Sequence, residues 1–262
     1  MVKVLFGPAG FGGSYDKGIP VIAKAGLDCV EVEFVYGVKM SNETAKKVSE
    51  FAEKNKINIT SVHAPYYINL SSDESQKRGA SRTRILQAAE RAHYLKAKYV
   101  VFHAGYYGNL SKEETYKIIK EQIGKIQSEI KAKKFNVVLA PETTGKASQF
   151  GDLDELLKLK KETGCHLCVD FAHLKARYNG KRDYKEIFDK LRKNNVKEIH
   201  SHFSGINYTA KGERNHIITP EAEIKELLSW IKKYKIDTTI INESPEPIED
   251  SVKSKKLWGI VS

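Results

Sequence analysis

Six apolar runs along this 262-residue chain each close on a side chain able to bind a metal or carry a proton. They are Ile59-Thr60-Ser61-Val62-His63, Tyr99-Val100-Val101-Phe102-His103, Val137-Val138-Leu139-Ala140-Pro141-Glu142, His166-Leu167-Cys168-Val169-Asp170, Ile199-His200-Ser201-His202 and Ile240-Ile241-Asn242-Glu243. His173 follows three residues after Asp170. Imidazole nitrogen mixed with carboxylate oxygen is the donor set of Zn²⁺ or Mn²⁺, whereas Mg²⁺ and Ca²⁺ favour oxygen alone. The donors outnumber the four that one ion takes. Glu142 falls mid-series, where one carboxylate can serve two ions. The expectation is a centre of two or three ions, zinc or, in one position at least, Mn²⁺. Glu142 is also the candidate general base.

The elements that must bring these groups together follow from the pattern between them. Short β-branched or apolar runs at 2–7, 29–34, 57–63, 98–103, 136–142, 165–170, 196–202 and 238–243 predict strands. Charged amphipathic stretches at 16–26, 41–55, 75–96, 111–134, 152–163, 183–194, 220–235 and 246–260 predict helices. Eight alternating pairs over about 250 residues is the arithmetic of an α/β fold of the (β/α)8 TIM barrel type. No linker or composition break divides the chain, so one domain is expected over 1–262. In such a barrel the C-terminal strand ends converge on one mouth, where the six groups would meet. Ser111 with Glu114 and Asp152 with Glu155 predict capping boxes. Thr219-Pro220 and Ser244-Pro245 predict N-caps with proline in the first helical position. An open doubly wound sheet shares the alternation, but the stretch Gly7–Gly13 lacks the G-x-G-x-x-G spacing and reads as a loop.

Other residues invite chemistry and are assigned plainer roles. His93 lies within an amphipathic helical run and reads as structural or exposed. His166 and His200 lie inside strands; His200 shares the face of His202 by period two and so can support it from behind. Cys165 and Cys168 form C-x-x-C, but on a strand residues three apart point to opposite faces and cannot clamp one ion.

Lys and Arg number 44 against 33 Asp and Glu, a formal charge of 44 − 33 = +11. An anionic partner fits that excess, as do lysine-rich solvated helices. No run approaches the roughly 18–20 apolar residues of a membrane span. The N-terminus reads as a strand rather than a signal peptide, and three cysteines make no disulfide framework. A cytoplasmic, monomeric protein with no membrane partner is expected.

Several strings resemble one known family. His63-Ala64-Pro65-Tyr66-Tyr67-Ile68-Asn69-Leu70, His103-Ala104-Gly105, Glu142-Thr143-Thr144 and Asp170-Phe171-Ala172-His173 are similar, in order, to the endonuclease IV family of abasic-site nucleases. His202-Phe203-Ser204-Gly205 is similar to its archaeal-type branch. The resemblance covers nearly the whole chain. It implies a (β/α)8 barrel with a trinuclear zinc site that cuts double-stranded DNA 5′ to abasic sites. It implies His63, His103 and Glu142 around a first zinc, then Glu142, Asp170, His202 and Glu243 around a second. His173 and His216 would hold a third, which the family completes with an Asp two residues before the last His. Arg214 stands there instead, in Gly212-Glu213-Arg214-Asn215-His216, with Glu213 beside it as a substitute. Tyr66 matches the family's wedge into DNA, and Tyr36, Tyr106 and Tyr107 are further loop aromatics. Lys146, Lys175, Arg177, Lys211 and Arg214 lie on loops from which cations reach phosphates.

A second departure follows strand two, where Glu31 and Glu33 oppose phosphate unless Glu33 points into the barrel. A rival reading is a sugar isomerase or epimerase on the similar xylose-isomerase-like barrel. There Glu142, Asp170, His202 and Glu243 alone would hold one Mn²⁺ or Mg²⁺. A third is a nucleic-acid-binding barrel that has lost activity, supported by Arg214. The additional His63, His103, His173 and His216 favour the nuclease.

Overall fold

The chain alternates strand and helix from end to end, and the computed structural model describes residues 2–181 and 183–260. Residues 1, 182, 261 and 262 of the expected single domain lie outside the described residues. In chain order the elements begin β1 (Val4–Pro8), α1 (Tyr15–Lys24), β2 (Cys29–Glu33), α2 (Asn42–Lys54), β3 (Asn58–His63), α3 (Ser75–Leu95), β4 (Tyr99–Phe102) and β5 (Gly105–Tyr106). Next come α4 (Lys112–Ala132), β6 (Val138–Pro141), β7 (Gln149–Phe150), α5 (Leu153–Thr163), β8 (Cys168–Asp170), α6 (Phe171–Arg177) and α7 (Tyr184–Lys193). The chain closes with β9 (Glu198–Phe203), β10 (Gly205–Thr209), β11 (Gly212–Ile217), α8 (Glu221–Tyr234), β12 (Asp237–Asn242) and α9 (Pro247–Trp258).

Two parallel four-stranded sheets, β1-β12-β9-β8 and β2-β3-β4-β6, form the wall. The bridges Ala9–Glu31 and Glu142–Cys168 join them at both seams. His166 N–H donates to the Leu139 carbonyl at 2.8 Å across one seam, and Gly10 N–H to the Glu31 carbonyl at 2.9 Å across the other. The ring closes as the predicted (β/α)8 barrel.

Strand alternation then sorts every residue to one side of the wall. Val30, Val32, Val62, Val100, Phe102, Leu139, Val169 and Ile240 face outward into the main hydrophobic core beneath the helices. Tyr99, Val101, Ala140 and Cys168 form a small separate cluster. They are the alternate residues and face the lumen, Val101, Ala140 and Cys168 one period and Tyr99 two periods below His103, Glu142 and Asp170. Cys165 belongs to the outer core and Cys168 to the lumen, so the two do face opposite ways.

Both expected capping boxes form, at Ser111–Glu114 and Asp152–Glu155. The two Pro-based N-caps do not. Helix α8 begins at Glu221 with Pro220 as an uncapped N-cap, because Thr219 turns inward: its N–H donates to Asp250 Oδ2 at 2.6 Å and its hydroxyl accepts from Asn242 at 3.4 Å. Helix α9 begins at Pro247 rather than Pro245, since Glu246 precedes a proline and is held out of helical geometry (φ −122°, ψ 69°). Three features are additions to the predicted pattern: the short pair β5–β7, the hairpin β10–β11, and helix α6.

Candidate metal centre

Glu142, one residue past β6, is the hub. Its Oε2 lies 2.8 Å from His103 Nε2 and 3.2 Å from His63 Nε2, while Oε1 lies 3.0 Å from His202 Nδ1 and 3.3 Å from His173 Nδ1. His63 ends β3, His103 follows β4, and His202 sits near the end of β9, so four walls of the barrel meet on one carboxylate. Asp170 ends β8 and pairs in register with His202 on β9. It also caps α6: its Oδ1 accepts the His173 N–H at 2.6 Å. That N-cap explains the Asp-x-x-His spacing, because the residue three beyond a cap lies one turn on and returns to the same side. Glu243, just past β12, places Oε1 3.2 Å from His202 Nδ1 and Oε2 3.9 Å from His216 Nδ1. His216 arrives from the hairpin strand β11 and shares its Nδ1 with Ser204 Oγ at 2.8 Å.

Backbone carbonyls fix the ring orientations. His63 Nδ1 lies 2.8 Å from the Ala64 carbonyl, and His173 Nδ1 lies 3.0 Å from that of Thr143. A nitrogen that donates to a carbonyl leaves the other ring nitrogen with a free lone pair. Three sets of donor atoms then fall within 4.8 Å of one another: His63/Glu142/His202, His103/Glu142/His173, and Glu142/Asp170/His202/Glu243.

Electrostatics argue for cations here. Burial alone would raise the Glu142 carboxyl, but His103 and His202 outweigh it and hold the group well below the ordinary carboxylate range. Burial raises Asp170 to about 6, with His173 opposing. Burial disfavours the charged form of His63, yet its bond to Glu142 carries it up to about 10. Among the described residues, the ion-pair partners of Glu142, Asp170 and Glu243 are histidines alone. Asp170 Oδ2 and Glu213 Oε2 are buried without a hydrogen bond. A site this deep that leaves carboxylate oxygens unmet is expensive without a compensating ion. The donor set therefore fits a divalent metal that takes nitrogen as well as oxygen.

A family model described as "Xylose isomerase-like TIM barrel" matches residues 19–258. The chain belongs to that family. Within it, a relative from Methanocaldococcus jannaschii, an uncharacterized protein, is 39% identical over 98% of both chains. A phytoplasma protein (Aster yellows witches'-broom) named "Probable endonuclease 4" is 30% identical over 56% of this chain and 52% of its own. The barrel also superposes on a D-tagatose 3-epimerase-like protein with a TM-score of 0.74 at 23% identity, covering 98% of this chain and 96% of that one. Endonuclease IV from Thermus thermophilus gives 0.71 at 18%, covering 99% and 100%. At such identities the two structures share the barrel.

Of the residues singled out from the sequence, the barrel gathers His63, His103, Glu142, Asp170, His173, His202 and Glu243 about one centre, with His216 at its edge. Tyr66 is half exposed with its ring 6.0 Å from His63, and Tyr36 is 78% exposed. Arg214 is exposed on β11. Lys175 is half-buried and bonded to Glu223 at 2.8 Å. The Arg177 side chain is buried; its Nη1 donates to the carbonyls of Thr144, Lys146 and Gln149, so it braces the loop after β6. His93 accepts the Asn136 N–H at 3.2 Å against Phe135, a structural role.

Three acids complete the surroundings. Glu31 and Glu33 both turn into the lumen, with Glu31 fully buried. They form an oxygen cluster with Glu243, and burial holds Glu33 well above the usual carboxylate range. The signal was present in Glu31-Val32-Glu33-Phe34: in a parallel strand covered by helices, apolar Val32 and Phe34 take the outer face and leave both acids inside. Glu213 brings Oε2 to 3.2 Å from His173 Nε2. Gly145 makes room for it, since a Cβ there would stand 2.0 Å from that oxygen.

Proposed function

We propose that the chain is a metal-dependent endonuclease that hydrolyses the phosphodiester 5′ to abasic sites in double-stranded DNA. One observation carries the reading: His63 and His103 share Glu142 with the separate group Glu142/Asp170/His202/Glu243, so the centre holds donors for more than one ion. The second reading, a sugar epimerase using one ion, is favoured by the four-residue group being complete in itself. It leaves His63 and His103 without a task.

Divalent ions held by these residues would supply Lewis acidity to the phosphoryl oxygens and to the departing 3′ oxygen. In the hydrolysis a water oxygen bonds to phosphorus, the bond to the 3′ oxygen breaks, and the water proton must be taken up. Glu142, the carboxylate on which the histidines converge, is the candidate to accept that proton. Tyr36, Tyr66 and Tyr67 present exposed rings on the loops after β2 and β3, and Tyr106 one on the short strand β5, suited to filling a gap in a base stack. Lys211 and Arg214 add exposed positive charge on the β10–β11 hairpin, and Lys146 lies opposite on the loop after β6.

The test is a labelled duplex carrying one tetrahydrofuran abasic analogue, incubated with zinc-loaded protein, with its chelated form, and with Glu142→Gln. Incision 5′ to the lesion by the loaded wild type alone is expected. No incision by a loaded protein that does epimerise a ketose would replace this reading with the second.

A further inference from the structure

Glu31 lies outside the three groups around Glu142 yet touches one of their members. We propose that Glu31, steadied by His200, is the positioning carboxylate of His202: it holds the ring so that Nδ1 faces the ions and Nε2 keeps its proton. The proposal rests on the metal centre and is independent of the substrate.

The two nitrogens of His202 face different partners. Nδ1 lies 3.0 Å from Glu142 Oε1 and 3.2 Å from Glu243 Oε1, while Nε2 lies 2.9 Å from Glu31 Oε1. A neutral imidazole carries one proton, and a metal takes the nitrogen without it. With Nδ1 among the metal-binding carboxylates, the proton belongs on Nε2, and Glu31 is its acceptor. Both Nε2 and Glu31 Oε1 are wholly buried and have no well-directed hydrogen bond, so each needs the other. Orientation, not distance, is what is incomplete between them.

The other Glu31 oxygen is already fixed. Oε2 lies 3.2 Å from His200 Nε2, and the His200 ring sits 5.3 Å from Tyr99 below. A carboxylate from β2 thus reaches across the lumen to two histidines of β9, 169 residues away from His200 in sequence. His63 and His173 meet the same requirement with backbone carbonyls. A carboxylate is the stronger acceptor and raises the basicity of the ligand it holds. His202 faces both Glu142 and Glu243, so its orientation affects the most crowded group in the centre.

The experiment uses the full chain loaded with zinc. Chelator competition should show Glu31→Gln binding zinc roughly 10- to 100-fold more weakly than wild type, with unchanged circular dichroism. In ¹⁵N-labelled loaded wild type, His202 should show a metal-bound Nδ1 and a protonated Nε2 with a strongly downfield proton. That proton should move upfield in Glu31→Gln. Equal zinc affinity in the two proteins, or an unprotonated Nε2 in wild type, overturns the proposal. Should Glu31→Gln fail to fold, the wild-type spectrum alone decides. A wild type that binds no zinc overturns the metal centre itself, and this proposal with it.

Discussion

His166 offers a test of the barrel interior that needs no metal. Its ring lies 4.7 Å from that of Tyr99, its Nδ1 lies 2.8 Å from the Leu167 carbonyl, and it is 7% exposed. Burial lowers its pKa from 6.5 to about 4, with the Leu167 carbonyl opposing. The unfolded chain therefore binds a proton below pH 6.5 that the folded chain refuses. Between pH 6.5 and 4 the unfolded state holds more protons, so stability falls as pH falls. At ~1.4 kcal/mol per pH unit, and with the native ring half-protonated at about pH 4, the penalty there is about 3 kcal/mol. Above pH 6.5 it vanishes. His166→Asn keeps an amide able to donate to Leu167 and does not titrate. Urea unfolding of the metal-free wild type and variant from about pH 7.5 to about pH 4 measures the difference, in which other titrating groups cancel. The wild type should lose about 3 kcal/mol relative to the variant. A difference that stays constant over this range refutes a buried, neutral His166.

Three further outcomes follow from particular contacts. Arg177→Met strands three loop carbonyls that Arg177 now satisfies, and should destabilise the fold by about 2–4 kcal/mol in chemical unfolding; a loss below ~1 kcal/mol would mean the loop supports itself. Gly145→Ala puts a Cβ 2.0 Å from Glu213 Oε2 and should drive that carboxylate off His173, lowering zinc content while the fold is kept. Unchanged zinc content would remove Glu213 from the centre. Binding to an abasic duplex should weaken with salt at a log–log slope of about −3 if Lys146, Lys211 and Arg214 each meet a phosphate; a flat response argues that none does.

Much of this was legible in the residues. The strand ends were readable because a parallel barrel strand is apolar until its last turn, where His63, His103, Glu142, Asp170, His202 and Glu243 interrupt it. Asp170 and His173 were readable as neighbours, and the cap on α6 supplies the reason. Glu31 and Glu33 were visible as acids, but their direction depended on which face of β2 lies under helices. Glu31 meets His200 and His202 only when the two half-barrels close, since β2 and β9 belong to different sheets. The hairpin β10–β11 was hidden for a similar reason. Its sequence is mostly polar and its one alternation, Ile206 and Tyr208, is too short to mark a strand; it is held by packing of those two residues on Ala172 and Ala176 of α6. Arg177 shows the opposite error: a loop cation by composition, it is consumed by backbone carbonyls.

The central claim is that Glu142 is shared by ligand groups for more than one ion. Metal content per chain, measured by elemental analysis on native protein and on the His63→Ala/His103→Ala double variant, tests it most directly. The account predicts two or three zinc ions in the native protein and one fewer in the variant, with the Glu142/Asp170/His202/Glu243 ion retained. A single ion in both proteins would contradict it.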